Sequence, residues 1–307
     1  MFKKELIKRA IDGNGLTSAG AEGTAINPNI WDLRLREYEE ANLVFTQLAE
    51  EFDLRGPGAD LKVTIDDAPS AAAALVETDD VSITTFSTRN VTFTPSEVGA
   101  AYQVSDKEMR RAFFNVMERM TKKLGYAMAL KKDTDGITEG RTSAGSTILA
   151  NNVSAATDLA STDTLGYEEI IDAARAIENN NYVPTDLVMN NYQKAQLLKL
   201  DKVNKANEFG SRDAVQRGLI GELFGINLYA STQISNETSG ATDTAQALLL
   251  GRSGTGERAL GYAVKHDPTV EVEYHARGRY HDIVGVEEYD WATLHGNAIA
   301  IIQTWSA

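Results

Sequence analysis

The apolar positions along this chain change period several times, and the changes delimit its elements. In "NIWDLRLREYEEANLVFTQLAEEFDLRGPG", Leu33, Leu35, Tyr38, Ala41, Leu43, Phe45 and Leu48 recur at loosely helical spacing and "RGPG" ends the run. This predicts a helix over 32–51. The chemistry then turns to strands. "LKVTI" at 61–65 and "VSITTFSTRNVTFTPSEVGAAYQVS" at 81–105 are rich in β-branched and aromatic residues, whereas "DDAPSAAAALVETDD" between them has little to anchor it. The pattern predicts a long two-stranded excursion over 61–104 with a loose tip. An isolated ribbon is marginal in water, so it needs another surface to lie on.

The clearest helical signal is "SDKEMRRAFFNVMERMTKKLGYAMALKKDTDGI". Ser105 and Glu108 stand at capping-box spacing, and Met109, Phe113, Val116, Met120, Leu124 and Ala127 follow at intervals of three and four. One helix of about 28 residues, roughly 40 Å long, is predicted. Its Met and Phe stripe reads as a core face, with a partner groove as the alternative. Residues 141–163, rich in Ser, Thr, Ala and Asn, read as a linking region with one short strand. Over 164–250 the helical segments "YEEIIDAARAIENN" and "NYQKAQLLKL" alternate with the strands "TDLVMN" and "INLYAST", and "GLIGELFG" reads as a helix or a turn. Such alternation indicates an α/β or α+β module. The tail 251–307 reads as strands punctuated by Gly and Asp. At the other end, 1–30 keeps no apolar period through "DGNGLTSAGAEGTAINPN" and reads as an arm.

Composition removes several functions. The chain has no cysteine, which excludes disulfides, thiolate zinc sites and cysteine nucleophiles. With 44 acidic against 30 basic residues the net charge is −14, which opposes tight gripping of phosphate backbones. No run approaches the ~18 apolar residues of a membrane span. "MFKKELIKRAIDGNG" lacks the unbroken apolar region of a secretory signal, so synthesis in the cytoplasm is expected.

The densest chemistry lies in "VEYHARGRYHDIVGVEEYDW", residues 272–291, with two histidines, two arginines, two aspartates, three glutamates and four aromatics. An enzymatic reading would gather His275, His281, Asp282 and Asp290 at one centre, with His266 or His295 as further candidate metal ligands. No spacing here matches a known ligand motif. Period-two alternation instead puts Val270, Val272, Tyr274 and Ala276 on one strand face and Glu271, Glu273, His275 and Arg277 on the other, with a turn or bulge at Gly278. A charged sheet facing solvent or an interface is the preferred reading. "GRSGTGERALG" at 251–261 lacks the Gly-Lys-Ser/Thr ending of a phosphate loop and reads as a turn between strands. "DDAPS" and "ETDD" lack the calcium-loop pattern. The basic residues Arg110, Arg111, Lys122, Lys123, Lys131 and Lys132 read as partners for acids, within the chain or across an interface.

The order of these segments, arm, β excursion, capped long helix, mixed module and strand-rich return, resembles the major capsid proteins of tailed bacteriophages with the Hong Kong 97 phage-type fold. "SDKEMRRAFF" would open the spine helix, "VPTDLVMNNYQKAQL" with "LFGINLYAS" would belong to the axial domain, and "AVKHDPTVEVEYHARGRYHDIVGVEEYDWATLHGNAIAIIQTW" would close the peripheral domain. The resemblance implies an α+β phage capsid fold: an arm at 1–30, a helix leading into the loop at 31–60, the extended β loop at 61–104, a peripheral domain at 105–163 completed by 251–307, and an axial domain at 164–250. It implies self-assembly into hexamers and pentamers of an icosahedral head shell around double-stranded DNA, with no catalysis and no cofactor. The short arm implies a separate scaffolding protein, and the family adds a portal and in some members a decoration protein. Encapsulin compartments share the fold and stand as the alternative, ahead of a soluble enzyme. Candidate contacts between subunits are Arg277, Arg279, Arg110, Arg111, Asp66, Asp67 and Glu77.

Overall fold

A computed structural model describes residues 44–306 apart from 57, 67–73, 75–82, 84, 86, 113–114, 201–220, 235 and 240–241. The arm, most of the expected 32–51 helix and the loop tip lie outside the described residues. What is described of that helix is a single turn, α1 (Phe45–Leu48), followed at once by a strand, β1 (Glu50–Asp53). The helix gives way because two distant partners claim this stretch. Asp133 Oδ1 accepts from the backbone N–H of Val44 at 3.0 Å and of Phe45 at 2.7 Å, and Glu50–Asp53 then pairs in parallel with Gly261–Val264.

The β excursion is shorter than its sequence suggests. Its described base is an antiparallel ribbon of β2 (Leu61–Asp66) and β3 (Thr88–Phe93), in register from Leu61 opposite Phe93 to Asp66 opposite Thr88. Phe93 is fully buried, and Leu61, Val63, Ile65 and Val91 pack beside it against Ala263 and Leu294. β4 (Ser96–Ser105) leaves the ribbon for a larger sheet, so the excursion returns by Phe93 rather than at 104.

The expected single helix is two. α2 (Asp106–Arg111) carries the capping box, with Ser105 Oγ accepting from Glu108 N and Glu108 Oε2 accepting from Ser105 N. Ala112 then turns extended, with ψ at 141°. α3 (Val116–Thr142) starts afresh from Asn115, whose Oδ1 accepts from Glu118 N, and runs for 27 residues. It therefore extends past the expected end and takes the first residues of the linking region.

The remaining elements are β5 (Ser146–Leu149), α4 (Tyr167–Glu178), β6 (Val183–Asn190), α5 (Asn191–Leu198), β7 (Glu222–Leu223), β8 (Ile226–Ser231), β9 (Glu237–Ser239), β10 (Thr242–Arg252), β11 (Leu260–His275), β12 (Tyr280–Thr293) and β13 (Ile299–Trp305). They make two sheets. One has the order β1-β11-β12-β4; the other has the order β5-β13-β10-β6-β8-β7, with β9 paired to β10. The tail 251–307 is thus shared: β11 and β12 complete the first sheet, whereas β13 enters the second beside β10, and so does β5 from the linking region.

The second sheet is buried on both faces. Leu248, Leu250, Ile299 and Ile301 face a core shared with Phe45, Leu48, Ile137, Leu260 and Trp291. The alternate residues Ala247, Leu249, Ala300 and Ile302 face Ile170, Ala173, Ile177 and Leu197 of α4 and α5. Two-sided burial explains why "ALLLG" and "AIAII" are unbroken apolar runs instead of alternating ones. Among the described residues no helix is long and apolar enough to cross a membrane.

Candidate assembly surface

The dense stretch forms the tip half of a long hairpin, in register from Leu260 opposite Thr293 to His275 opposite Tyr280. Arg279 closes the turn with φ +56°, a backbone region that a long side chain rarely adopts. Its N–H donates to the carbonyl of His275 at 2.8 Å, and its own carbonyl accepts from Asp106 N at 3.0 Å. The tip is therefore strapped to the start of α2.

One face of the hairpin carries α3. Gly285 allows the close approach, since a Cβ there would meet Met128 Sδ at 2.7 Å. Gly136 does the same on the helix, where a Cβ would lie 2.8 Å from the Trp291 ring. Between these points Glu287, 2 % exposed, accepts an ion pair from Lys132 at 2.8 Å, and the same Lys132 Nζ stands 5.0 Å from the Tyr289 ring centroid. Tyr289 donates to Asp135 Oδ2 at 2.8 Å. Burial, reinforced by that carboxylate, holds the phenol in its protonated form well above the ordinary tyrosine range.

α3 covers β12 and β4 but leaves the outer half of β11 bare. Val270, Val272 and Tyr274 share the helix-side face with Gly285, Ile283 and His281, yet they are 40 %, 52 % and 49 % exposed. β1 ends its pairing at Val264, and no described strand pairs with the outer edge of β11 beyond that point. The opposite face of this half presents Glu271 and Glu273, also exposed. The result is an open strand edge, apolar on one face and acidic on the other.

The four residues of the enzymatic reading do not meet. His275 Nε2 lies 3.0 Å from Asp282 Oδ2 on one face of the hairpin. His281 is on the other, 3.5 Å from Asp106 Oδ1, with Tyr274 OH donating to Asp106 Oδ2 at 3.2 Å. Asp290 is eight residues further along β12, roughly 27 Å at strand rise. There it accepts from Thr94 N at 2.7 Å, and burial raises its pKa. Among the described residues no three His, Asp or Glu side chains are grouped to hold a metal ion. The stretch 251–261 is a turn between β10 and β11, with Ser253 N donating to Glu257 O and Gly256 at φ +95°.

Arg277, Arg279, Arg110 and Arg111 are all exposed. Arg279 and Arg110 converge on Asp106, the first through its carbonyl as above and the second by donating Nε–H to the Asp106 carbonyl at 3.1 Å. Asp66 is exposed at the far end of the described ribbon. Asp67 and Glu77 lie outside the described residues. One feature was legible only in part from the sequence, and one gave almost no signal. The apolar alternation of β11 was visible, but its exposure depends on where α3 stops. The role of Asp133, an acid on the buried face of α3, was announced only by its position at helical spacing from Ile137.

The sequence matches the phage capsid protein family over residues 89–297, more than half of the chain. No curated protein matches it significantly in sequence. Among solved structures, it is similar to a chain from Mycobacterium phage Che8, at 19 % identity and TM-score 0.71 over 90 % of this chain and 96 % of that one. It is also similar to the capsid of Cyanophage P-SCSP1u, at 13 % identity and TM-score 0.70 over 96 % and 100 %. The capsid of Ralstonia phage GP4 aligns at 12 % identity and TM-score 0.69 over 95 % and 98 %. A likeness of fold this extensive at such low identity, joined to the family match and to a long helix laid on a strapped hairpin, places the chain: it belongs to the phage capsid protein family, the shell-forming major capsid proteins with the Hong Kong 97 phage-type fold.

Proposed function

We propose that this capsid protein assembles as hexamers and pentamers into an icosahedral head that encloses double-stranded DNA, and that assembly takes place in the host cytoplasm. The observation that carries the reading is the family match over 89–297, which spans the ribbon strand β3, α3 and the whole β11–β12 hairpin. In this reading the β2–β3 ribbon is the base of the extended loop that lies over an adjacent subunit. The α3-backed sheet is the peripheral domain and the seven-stranded sheet the axial domain. Arg277, Arg279, Arg110, Arg111 and Asp66 lie on exposed surface and act, with Asp67 and Glu77, as contacts between copies. A separate scaffolding protein and a portal take part in assembly, and a decoration protein is a further partner. The net charge of −14 keeps contact with packaged phosphates weak.

The test is electron microscopy of the purified protein, alone and co-expressed with the neighbouring head genes. Closed particles with five- and six-fold clusters are the expected result. A chain that stays monomeric under every condition refutes the reading.

A further inference from the structure

A strand edge that is long, flat and apolar on one face invites pairing, and folded proteins blunt such edges with lysines, prolines, bulges or a covering element. The first sheet leaves two edges without such protection. β11 has irregular pairing near His266 and a proline at 268, but from Thr269 to His275 it pairs regularly with β12 and carries no lysine. At the other end of the sheet, β4 pairs with β12 without interruption from Ser96 to Ser105, holds no lysine, arginine or proline, and has no described strand on its far side. The two edges alternate in step. Ala100, Tyr102 and Val104 of β4 share the helix side with Val270, Val272 and Tyr274 of β11, whereas Ala101 and Gln103 share the opposite side with Glu271 and Glu273.

Charge decides which edge meets which. A second β11 in antiparallel two-fold pairing about Val272 would set Glu271 against Glu273 of the other copy twice over, and like charges directly opposite destabilise. β4 carries no charge from Gly99 to Ser105. We infer that the β4 edge of one copy, at 99–105, adds to the β11 edge of a second copy, at 269–275, so that the first sheet continues from subunit to subunit. Both strands run antiparallel to β12, so copies that keep their helix sides together pair in parallel. Set level, as these residues already stand across β12, Val270 meets Ala100, Val272 meets Tyr102 and Tyr274 meets Val104, while Glu271 and Glu273 meet the uncharged Ala101 and Gln103. Backbone hydrogen bonds supply affinity, and a one-residue slip would set apolar against acidic side chains. The neighbour's α3 travels with its β4, and the partly buried Met117 and Met120 of that core extend apolar cover towards the bare half of β11. The contact is head-to-tail, so it propagates from copy to copy and can close a ring. The inference rests on the shell reading and assigns one of its contacts.

The absence of native cysteines makes the test direct. Within one chain β4 and β11 stand on either side of β12, roughly 9.5 Å apart at strand spacing and beyond disulfide reach, so a bond between them joins two copies. Full-length chains carrying Tyr102→Cys with Val272→Cys, or Gln103→Cys with Glu273→Cys, are assembled and oxidised. At least one pair should give covalent ladders longer than a dimer, and the four single variants should stay unlinked. Charge gives a second reading. Ala101→Glu, at an exposed position set against Glu271 of the neighbour, should leave the subunit's urea midpoint unchanged and cut particle yield by about ten-fold, because the like-charge pair recurs at every copy. Adding Glu271→Lys should restore the yield. Wild-type particles with no ladder from either pair, dimers formed by a single variant, or Ala101→Glu particles at full yield or without rescue would each overturn the inference and leave the shell reading intact. Failure of the wild type to form particles overturns the shell reading, and this inference with it.

Discussion

Removing the ammonium of Lys132 tests whether the hairpin and α3 are held together by charge as well as by packing. At 2.8 Å and an effective dielectric of ~20, the attraction between Lys132 and Glu287 is about 6 kcal/mol, most of it offset by the desolvation of both groups. The pair as a whole therefore contributes little net stability, but its halves are unequal to it. In Lys132→Met, Glu287 keeps its charge at 2 % exposure with one oxygen, Oε1, already without a hydrogen-bond partner, and the expected loss is about 3–5 kcal/mol. Lys132→Met combined with Glu287→Leu should return to within about 1 kcal/mol of the wild type, because the site then becomes an apolar contact beside Tyr289. Urea unfolding of the unassembled subunit, followed by tryptophan fluorescence, measures all three variants against the wild type. A Lys132→Met loss below about 1 kcal/mol, or a double variant no better than the sum of its parts, would show the pair to be solvated and the argument wrong.

Asp133→Ala should cost about 2–4 kcal/mol, since the N–H groups of Val44 and Phe45 lose their buried acceptor, whereas Asp133→Asn keeps an acceptor and should cost less; urea midpoints separate the two. Burial raises the pKa of Asp133, so its contribution is fully present below the unfolded carboxylate value and is lost as pH rises through the higher folded value; Asp133→Asn should remove that part of the stability profile. The phenol of Tyr262, desolvated and bonded to Glu51, is pushed up to about 12, so stability should fall between pH 10 and 12 in the wild type and less steeply in Tyr262→Phe, as alkaline unfolding curves would show. Deleting 67–80 should leave the subunit's unfolding midpoint within about 1 kcal/mol of the wild type and abolish stable shells; normal particles on grids would reject the loop assignment.

The strands of the second sheet were the most legible part of the fold, because burial on both faces writes "ALLLG" and "AIAII" as continuous apolar runs that any sheet placement must satisfy. The helices were legible in kind and misjudged in extent. Asn115 and Glu118 repeat the capping spacing of Ser105 and Glu108 ten residues on, so the break at Ala112 was encoded, but the Met and Phe period ran across it and hid it. The stretch 50–53 was not recoverable locally: "EEFD" is a strand because Gly261–Val264, over two hundred residues away, offers a free edge. The same holds for the site. The two faces of β11 were written in its alternation, while the fact that both are exposed follows from the reach of α3 and the early end of β1, which are tertiary facts.

Asp133 sits two-thirds of the way along α3 and accepts from the N–H groups that open α1. In mechanical terms this is an attachment point. A load entering at Val44 passes to α3 through the Asp133 carboxylate and, through Phe45 and Leu48, into the core that α3, the hairpin and the second sheet share. The carboxylate of one aspartate is thus the rivet that joins the start of α1 to α3, and through that shared core to both sheets.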